Sequence, residues 1–515
     1  MEQNKTLKFQ KGIKNFIEQN KWPIFVTFII LIIAYGMKVF HLAISHDTEA
    51  IINVPESLYN SWLTMGRFGL IAIKKIFDLY IFNPYIAAVF MFIMMLINSV
   101  LWEFLFWKLC DRPTEFSKRS WIFPALFFTA PVMAEQQVFL LQSFEIEVAV
   151  FLVGIALLLF WQASEATRKM IYYIIIFLAL AIAFSCYQAM LPLFIAGAVA
   201  TIMLKLERNQ AGWKEAFQLI GCFAGSFLLY EIVNKIIMSC LKITTTAYIS
   251  DQILWGKVPV KECIKNILRH VANVLTGQGV YYSVLFTVSI ILLVCLIIYK
   301  RRKVKHLILF ILACLVLLGS PFLMTLLLGQ APTYRTQIIL PFVYGFIIQY
   351  AVGHIRTDNI PKRCGYFWAA AGVILCFGVK QSMDVSRMYY TEYVQYEEDV
   401  RLAVKISDRI DQLNLGEIPE EPVVFIGSRS PQLNRSSDRQ YEITGHSFFE
   451  WAFTTQHGTF IMENFMATIG YTYHSPSAEQ ITRAEAYAAD MEAWPNTGSV
   501  QVKDGIIIVK LSDIS

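Results

Sequence analysis

One repeated feature constrains this chain more than any other: apolar runs of about 20 residues, each long enough to cross about 30 Å of hydrocarbon as a helix, with short polar stretches between them. No soluble core could cover so many runs, so the chain reads as a polytopic α-helical membrane protein. The runs fall at about 22–44, 83–107, 120–134, 143–162, 170–186, 188–204, 216–238, 281–299, 306–328, 337–353 and 365–380, which predicts about 11 spans. The short run at 120–134 holds Pro124 and Pro131 and is expected to be broken or re-entrant within protein. The first run follows five lysines and is too long for the apolar region of a signal peptide, so it should stay as an anchor. With 56% hydrophobic and only 16% charged residues, composition agrees.

Charge then sets the orientation. If the N-terminus is cytoplasmic, the inner segments (1–21 and about 108–119, 163–169, 205–214, 300–305 and 354–364) hold 22 Lys and Arg. The outer loops (43–82, 134–142, 239–280 and 329–336) hold 9 although they are longer, as the positive-inside rule requires. An odd number of spans leaves the C-terminus outside a plasma (inner) membrane. The basic residues sit in short runs and form no interleaved stripe, so nucleic acid is not an expected partner. Nine cysteines lie, almost all, in or beside apolar runs with no CxxC pair, which reads as buried packing. Cys240 and Cys263 share one loop, but spacing alone does not pair them.

The chain changes character near Asp384, which predicts two domains: a membrane-embedded one, 1–383, and a small extracytoplasmic α/β one, 384–515. In the second, YTEYVQYEEDVRLAVKISDRIDQL has apolar residues at helical spacing, PVVFIG reads as a strand, and ITRAEAYAADMEAW as a helix. Asp504-Gly505 between the alternating runs SVQVK and IIIVKL is the signal of a tight hairpin.

Polar groups gather on the expected outer side. HDTEAIINVPESLYNSWLTMGRFGL brings Asp47, Glu49, Glu56 and Arg67 directly after the first run. Asp47 and Glu49 share a side in an extended chain but lie about 200° apart on a helix, so a shared site is expected if this piece is loop or strand. EQQVFLLQSFEIE adds Glu135, Gln136, Gln137, Gln142, Glu145 and Glu147; FSCYQAML adds Tyr187 and Gln188; GQAPTYRTQ adds Tyr334 and Arg335. Lys38 ends the first span. His46-Asp47-Thr48-Glu49 has no second cluster at metal spacing, so no metal or other cofactor is expected.

The acid after the first span followed by SWLTMGRFG, the YQA turn, the Arg335 loop and the ending WPNTGSVQVKDGIIIVKL together resemble the GtrII-type glucosyltransferases, polytopic GT-C enzymes that decorate bacterial surface polysaccharides. The resemblance implies a GT-C-like fold, a polyprenyl-phosphate-linked hexose (glucose) as donor, membrane lipids as surroundings, and a cell-surface polysaccharide as acceptor on the outer face. The absence of a Gly-rich phosphate loop after a strand agrees with a lipid-borne donor. Phosphate is already a competent leaving group, so the chemistry needs a base for the acceptor hydroxyl and cations for the phosphate. Asp47 takes the role of base, with Glu49 as partner or substitute. Where the family often has two adjacent acids, these are split by Thr48, which leaves the choice between them open. Arg335 and Arg67 are the phosphate clamps, because a guanidinium fork matches phosphate oxygens. Lys38 is a third cation, and Glu145, Tyr187, Gln188 and Tyr334 complete the substrate-binding set. A single displacement inverts the anomeric centre.

Each of these residues also has a plainer reading. Asp47 and Glu49 serve equally as solvated loop acids, Arg67 as a snorkelling interfacial residue, Arg335 as a lipid-phosphate contact, Glu145 and Glu147 as helix-dipole partners, and Tyr187 and Gln188 as turn packing. Glu231 and Lys235, four apart, read as an intramembrane ion pair. His446, Trp451, His457, Tyr471, Tyr473 and His474 either line a sugar-binding face or belong to core and surface. The alternative function is a transporter or flippase of lipid-linked saccharide. Such proteins need charge near the bilayer midplane and repeated halves, whereas here the polarity sits at one face.

Overall fold

In hydrocarbon every backbone N–H and C=O must be paired within its own segment, so apolar runs fold as helices. A computed structural model describes residues 2–110, 113–163, 169–244, 251–355, 361–416, 419–437, 441–451 and 453–513. Among them, seven helices are long and apolar enough to span a membrane: Lys11–Phe40, Pro84–Leu109, Leu140–Ala163, Lys169–Cys186, Met190–Glu207, Trp213–Leu241 and Leu307–Leu328. Leu285–Lys300 and Ile339–Val352 are apolar but shorter. The protein is therefore membrane-embedded, with seven such helices where the sequence predicts about 11 spans.

The other expected runs take different forms. The 120–134 run breaks into Ile122–Phe127 and Pro131–Val138, both wholly buried, with Pro131 opening the second, where its missing N–H costs nothing. The 365–380 run becomes the first part of one 51-residue helix, Pro361–Asp411. That helix packs along the first span and runs unbroken through position 383, so the expected boundary falls inside a continuous element. Trp213–Leu241 turns Phe217, Ile220, Leu228, Ile232 and Ile236 outward, a belt suited to acyl chains.

The C-terminal lobe is built on a three-stranded sheet in the order β1-β3-β2, with β1 Val423–Ile426 parallel to β3 Ile506–Lys510, and β2 Val500–Lys503 antiparallel to it. Asp504 and Gly505 take φ +50° and +68°, the backbone a two-residue hairpin needs, and the expected turn forms there. Side chains alternate along each strand, and helices cover both faces. Val423, Phe425, Ile507 and Val509 meet Leu402, Ala403 and Ile406 of the long helix and Met462 and Phe465 of the helix Thr455–Thr468. Val424, Ile426, Ile506 and Ile508 meet Ile481, Ala484 and Ala488 of Ala478–Ala488. β1 and β3 are thus buried on both sides and read as near-continuous apolar runs, while β2 (VQVK) alternates and keeps one face partly exposed.

Candidate functional site

The first span ends under the lobe. Ser45 Oγ donates to the Val138 carbonyl at 3.0 Å, tying the following loop to the broken helix Pro131–Val138. Asp47 then adopts φ +71° at the start of the helix Thr48–Asn53. Aspartate tolerates this left-handed conformation, because its short polar side chain can bond locally. The Asp47 side chain does not cap the helix; it lies 3.5 Å from His46 Nε2 and is 44% exposed. Glu49, within the first turn of that helix, is 1% exposed, and its Oε2 has no hydrogen-bond partner. The piece is helix rather than strand, so the two carboxylates diverge. Burial first, and then the charge of Asp47, push the Glu49 carboxyl well above the usual carboxylate range.

Arg335 belongs to the turn Tyr334–Thr336, which packs on Pro131–Val138. Its guanidinium lies over the Phe139 ring at 4.6 Å and 3.8 Å from Glu442 Oε1. Its charge also reaches His46: burial lowers the imidazole pKa, Asp47 opposes that, and His457 and Arg335 lower it further. The structure thus gathers Asp47, His46, Arg335 and Tyr334 under the lobe.

A lobe loop closes over this cluster. Tyr334 N–H donates to Glu442 Oε2 at 2.6 Å, and Tyr334 stacks on Tyr281 at 4.1 Å. The Tyr281 hydroxyl accepts from Glu442 N–H at 2.8 Å and donates to Glu135 Oε2 at 2.9 Å. Glu135 also accepts from Ile443 N–H at 2.7 Å and Thr444 Oγ at 2.9 Å, so this buried acid is satisfied by donors from the lobe. Trp451 completes the closure by stacking on His46, with centroids 5.0 Å apart.

A second cluster forms around SWLTMGRFG. Gly66 takes φ +73°, and a Cβ there would meet the Tyr230 hydroxyl at 2.6 Å; a Cβ on Gly69 would strike the backbone of Ile182 at 2.9 Å. One glycine makes the turn and the other lets the helix Phe68–Ile76 approach Lys169–Cys186, and the two hold Arg67 between them. Arg67 Nε donates to Gln188 Oε1 at 3.3 Å and its guanidinium lies 5.2 Å from the Tyr187 ring centroid; Gln188 Nε2 donates to the Met65 carbonyl. The same helix carries Lys74, fully buried and 2.8 Å from Glu145.

Two predicted site residues are committed elsewhere. Lys38 donates to Glu392 Oε1 at 2.5 Å and to the Ala43 carbonyl at 3.2 Å, out of contact with solvent. Glu145 is held by Lys74. Glu231 and Lys235, both among the described residues, do not form the expected ion pair with each other. Sequence reasoning missed Lys74, Glu392 and Glu442 as partners. For the first two the signal was present, since a buried charge requires a counter-charge; Glu442 lies in a polar stretch with no periodicity to place it. Among the described residues, no three His, Cys, Asp or Glu converge to hold a metal ion. Cys240 and Cys263 are both free.

Compared with known proteins, residues 36–351 match the family model described as glucosyl transferase GtrII. The match takes in the Asp47 loop, SWLTMGRFG, the YQA turn and the Arg335 loop, and it ends before the long helix and the lobe. No curated protein and no solved structure matches the chain.

Proposed function

Since this chain belongs to the GtrII glucosyl transferase family, we propose that it transfers a glucose unit from a polyprenyl-phosphate-linked donor to a cell-surface polysaccharide. The reaction is assigned to the membrane face under the lobe, taken as the extracytoplasmic one. In this reading residues 1–383 hold the donor lipid and 384–515 form the outer lobe. The acceptor hydroxyl attacks the anomeric carbon, its proton passes to Asp47, and polyprenyl phosphate departs with the electrons of the broken C–O bond, which inverts the centre.

The observation that carries this reading is that the Asp47 loop and Arg335 meet on the same stretch of the broken helix: Ser45 is bonded to the Val138 carbonyl, Arg335 lies over the Phe139 ring, and the half-exposed Asp47 sits beside His46. Exposure favours Asp47 over Glu49 as base, because a carboxylate must reach the incoming hydroxyl, and Glu49 is buried with its protonated form favoured. Arg335 supplies a planar fork for the departing phosphate. Arg67, oriented by Gln188 and Tyr187, is the second clamp. Lys38 and Glu145 serve as scaffold, because Glu392 and Lys74 already neutralise them.

The test is glucosyl transfer by purified protein with a polyprenyl-phosphate-glucose donor. Asp47→Asn is expected to lower kcat by about 10²–10⁴-fold at unchanged protein yield; wild-type turnover in that variant would remove Asp47 from the role of base.

A further inference from the structure

Resting on that reading, we propose that the acceptor saccharide docks on an aromatic shelf at the edge of the lobe, formed by Trp451, Phe453 and His457 beside Asp47. Four rings close a circuit there. His46 stacks on Trp451 at 5.0 Å with an interplanar angle of 24°. Trp451 meets Phe453 at 5.8 Å, Phe453 meets His457 at 5.6 Å, and His457 returns to His46 at 6.4 Å. The shelf is braced from behind: the His446 ring lies 5.6 Å from Trp451, and is itself fixed by Glu450 at 3.2 Å and by the Tyr441 carbonyl at 3.1 Å.

Among the described residues, the outward side carries no protein cover. Phe453 is 74% exposed and His457 is exposed as well, although a large ring left in water forgoes the burial that would stabilise the fold. A pyranose ring answers this arrangement. One of its faces is lined with C–H groups that stack on an aromatic plane, while its hydroxyls point to the rim and need polar partners. The rim offers one: the Asp47 carboxylate, whose side chain is 44% exposed, lies 3.5 Å from His46 Nε2, on the ring that stacks against Trp451. A sugar seated on the shelf therefore places a hydroxyl one ring away from the proposed base, already oriented by the stack.

The other occupant of such a patch is the membrane interface, where exposed aromatics also gather. Continuity with Asp47 favours the sugar, because His46 belongs to the ring circuit and to the acid contact at once.

The test uses full-length protein in detergent, with surface polysaccharide isolated from cells lacking this protein as the acceptor probe. Phe453→Ala is expected to raise the acceptor KM by about 5–10-fold while kcat and the donor KM stay within about twofold. Phe453→Tyr keeps the ring and should restore the acceptor KM, which separates lost stacking from lost folding. Saccharide binding, followed by tryptophan fluorescence in an Asp47→Asn background, should persist and then disappear when Phe453→Ala is added. An unchanged acceptor KM and unchanged binding in Phe453→Ala, with transfer intact, would overturn the shelf and leave the transfer reading standing. Phe453-dependent saccharide binding without any transfer by the wild-type protein would sink the transfer reading and keep the shelf. Quenching of a fluorophore at position 453 by spin-labelled lipid in vesicles, with acceptor binding unaffected, would assign the patch to the membrane.

Discussion

Lys38–Glu392 and Arg335–Glu442 are both ion pairs that tie the membrane region to the C-terminal part of the chain, yet they differ in every physical respect that matters. The first is 2.5 Å long with both side chains out of solvent; the second is 3.8 Å long with both about one-fifth exposed. A short pair in a dry interior cannot lose one partner alone, because removing either charge strands the other. A long pair at a wet edge holds its partners loosely and can yield to a competing anion. The same residue types therefore mark scaffold in one place and a replaceable contact in the other. Distance and burial separate the two; sequence does not.

The largest effect should come from breaking the dry pair. Lys38→Met leaves Glu392 buried and uncompensated, which is expected to cost about 3–5 kcal/mol and to appear as loss of folded protein in detergent melting and yield. Adding Glu392→Leu should restore most of that loss, since an apolar pair of similar volume replaces a charged one at little net cost. A Lys38→Met protein of full stability with impaired donor binding would instead return Lys38 to the phosphate site.

Asp399 provides a third case, a buried acid with hydrogen-bond donors around it. It lies in the lobe end of the long helix and accepts from Ser447 Oγ at 2.6 Å, Phe448 N–H at 2.9 Å and Gln395. Burial pushes its carboxyl up from 3.8 to about 7 in spite of those donors. Between those two values the unfolded chain has lost the proton while the folded lobe keeps it, so stability falls as pH rises through that window. Melting at pH 5 and pH 8 should differ by about 2–4 kcal/mol in favour of pH 5. Asp399→Asn should flatten that dependence; an unchanged slope would locate it in another group.

The wet pair is probed next. Arg335→Lys keeps the charge but loses the planar fork and the stack on Phe139, and is expected to raise the donor KM by about 10–100-fold with little change in melting. A large stability loss with an unchanged KM would place Arg335 with the scaffold.

These contrasts mark how far the sequence could be read. Period and length made the membrane helices, the broken 120–134 run and the Asp504-Gly505 hairpin legible, because each depends on local backbone chemistry. The helix Thr455–Thr468 was missed, since TQHGTFIMENFMAT mixes glycine and polar residues and owes its stability to packing on the sheet. Where two of the expected spans fall, the apolar helices Leu285–Lys300 and Ile339–Val352 are shorter than a full crossing, because apolar content does not fix helix ends. In the candidate site, four outer segments were visible as polar interruptions, but which of them met was not. Glu145 found Lys74 rather than a substrate group, and Glu442 comes from more than a hundred residues beyond Arg335. Long-range pairing is set by packing, which no single stretch encodes.

The smallest effect discriminates most finely between the two pairs. Glu442 faces Arg335 at 3.8 Å while accepting the Tyr334 N–H at 2.6 Å, so it has two separable jobs. Glu442→Gln retains an oxygen for the N–H and removes only the negative charge. If the pair is exchangeable, the donor phosphate must displace this carboxylate to reach the guanidinium, and relieving that competition should lower the donor KM by about 2–5-fold, within the range of a partly exposed ion pair. The effect should shrink in high salt, where screening already weakens the native pair. A donor KM that rises instead would mean that Glu442 aims the guanidinium, and the wet pair would then belong to the scaffold alongside Lys38–Glu392.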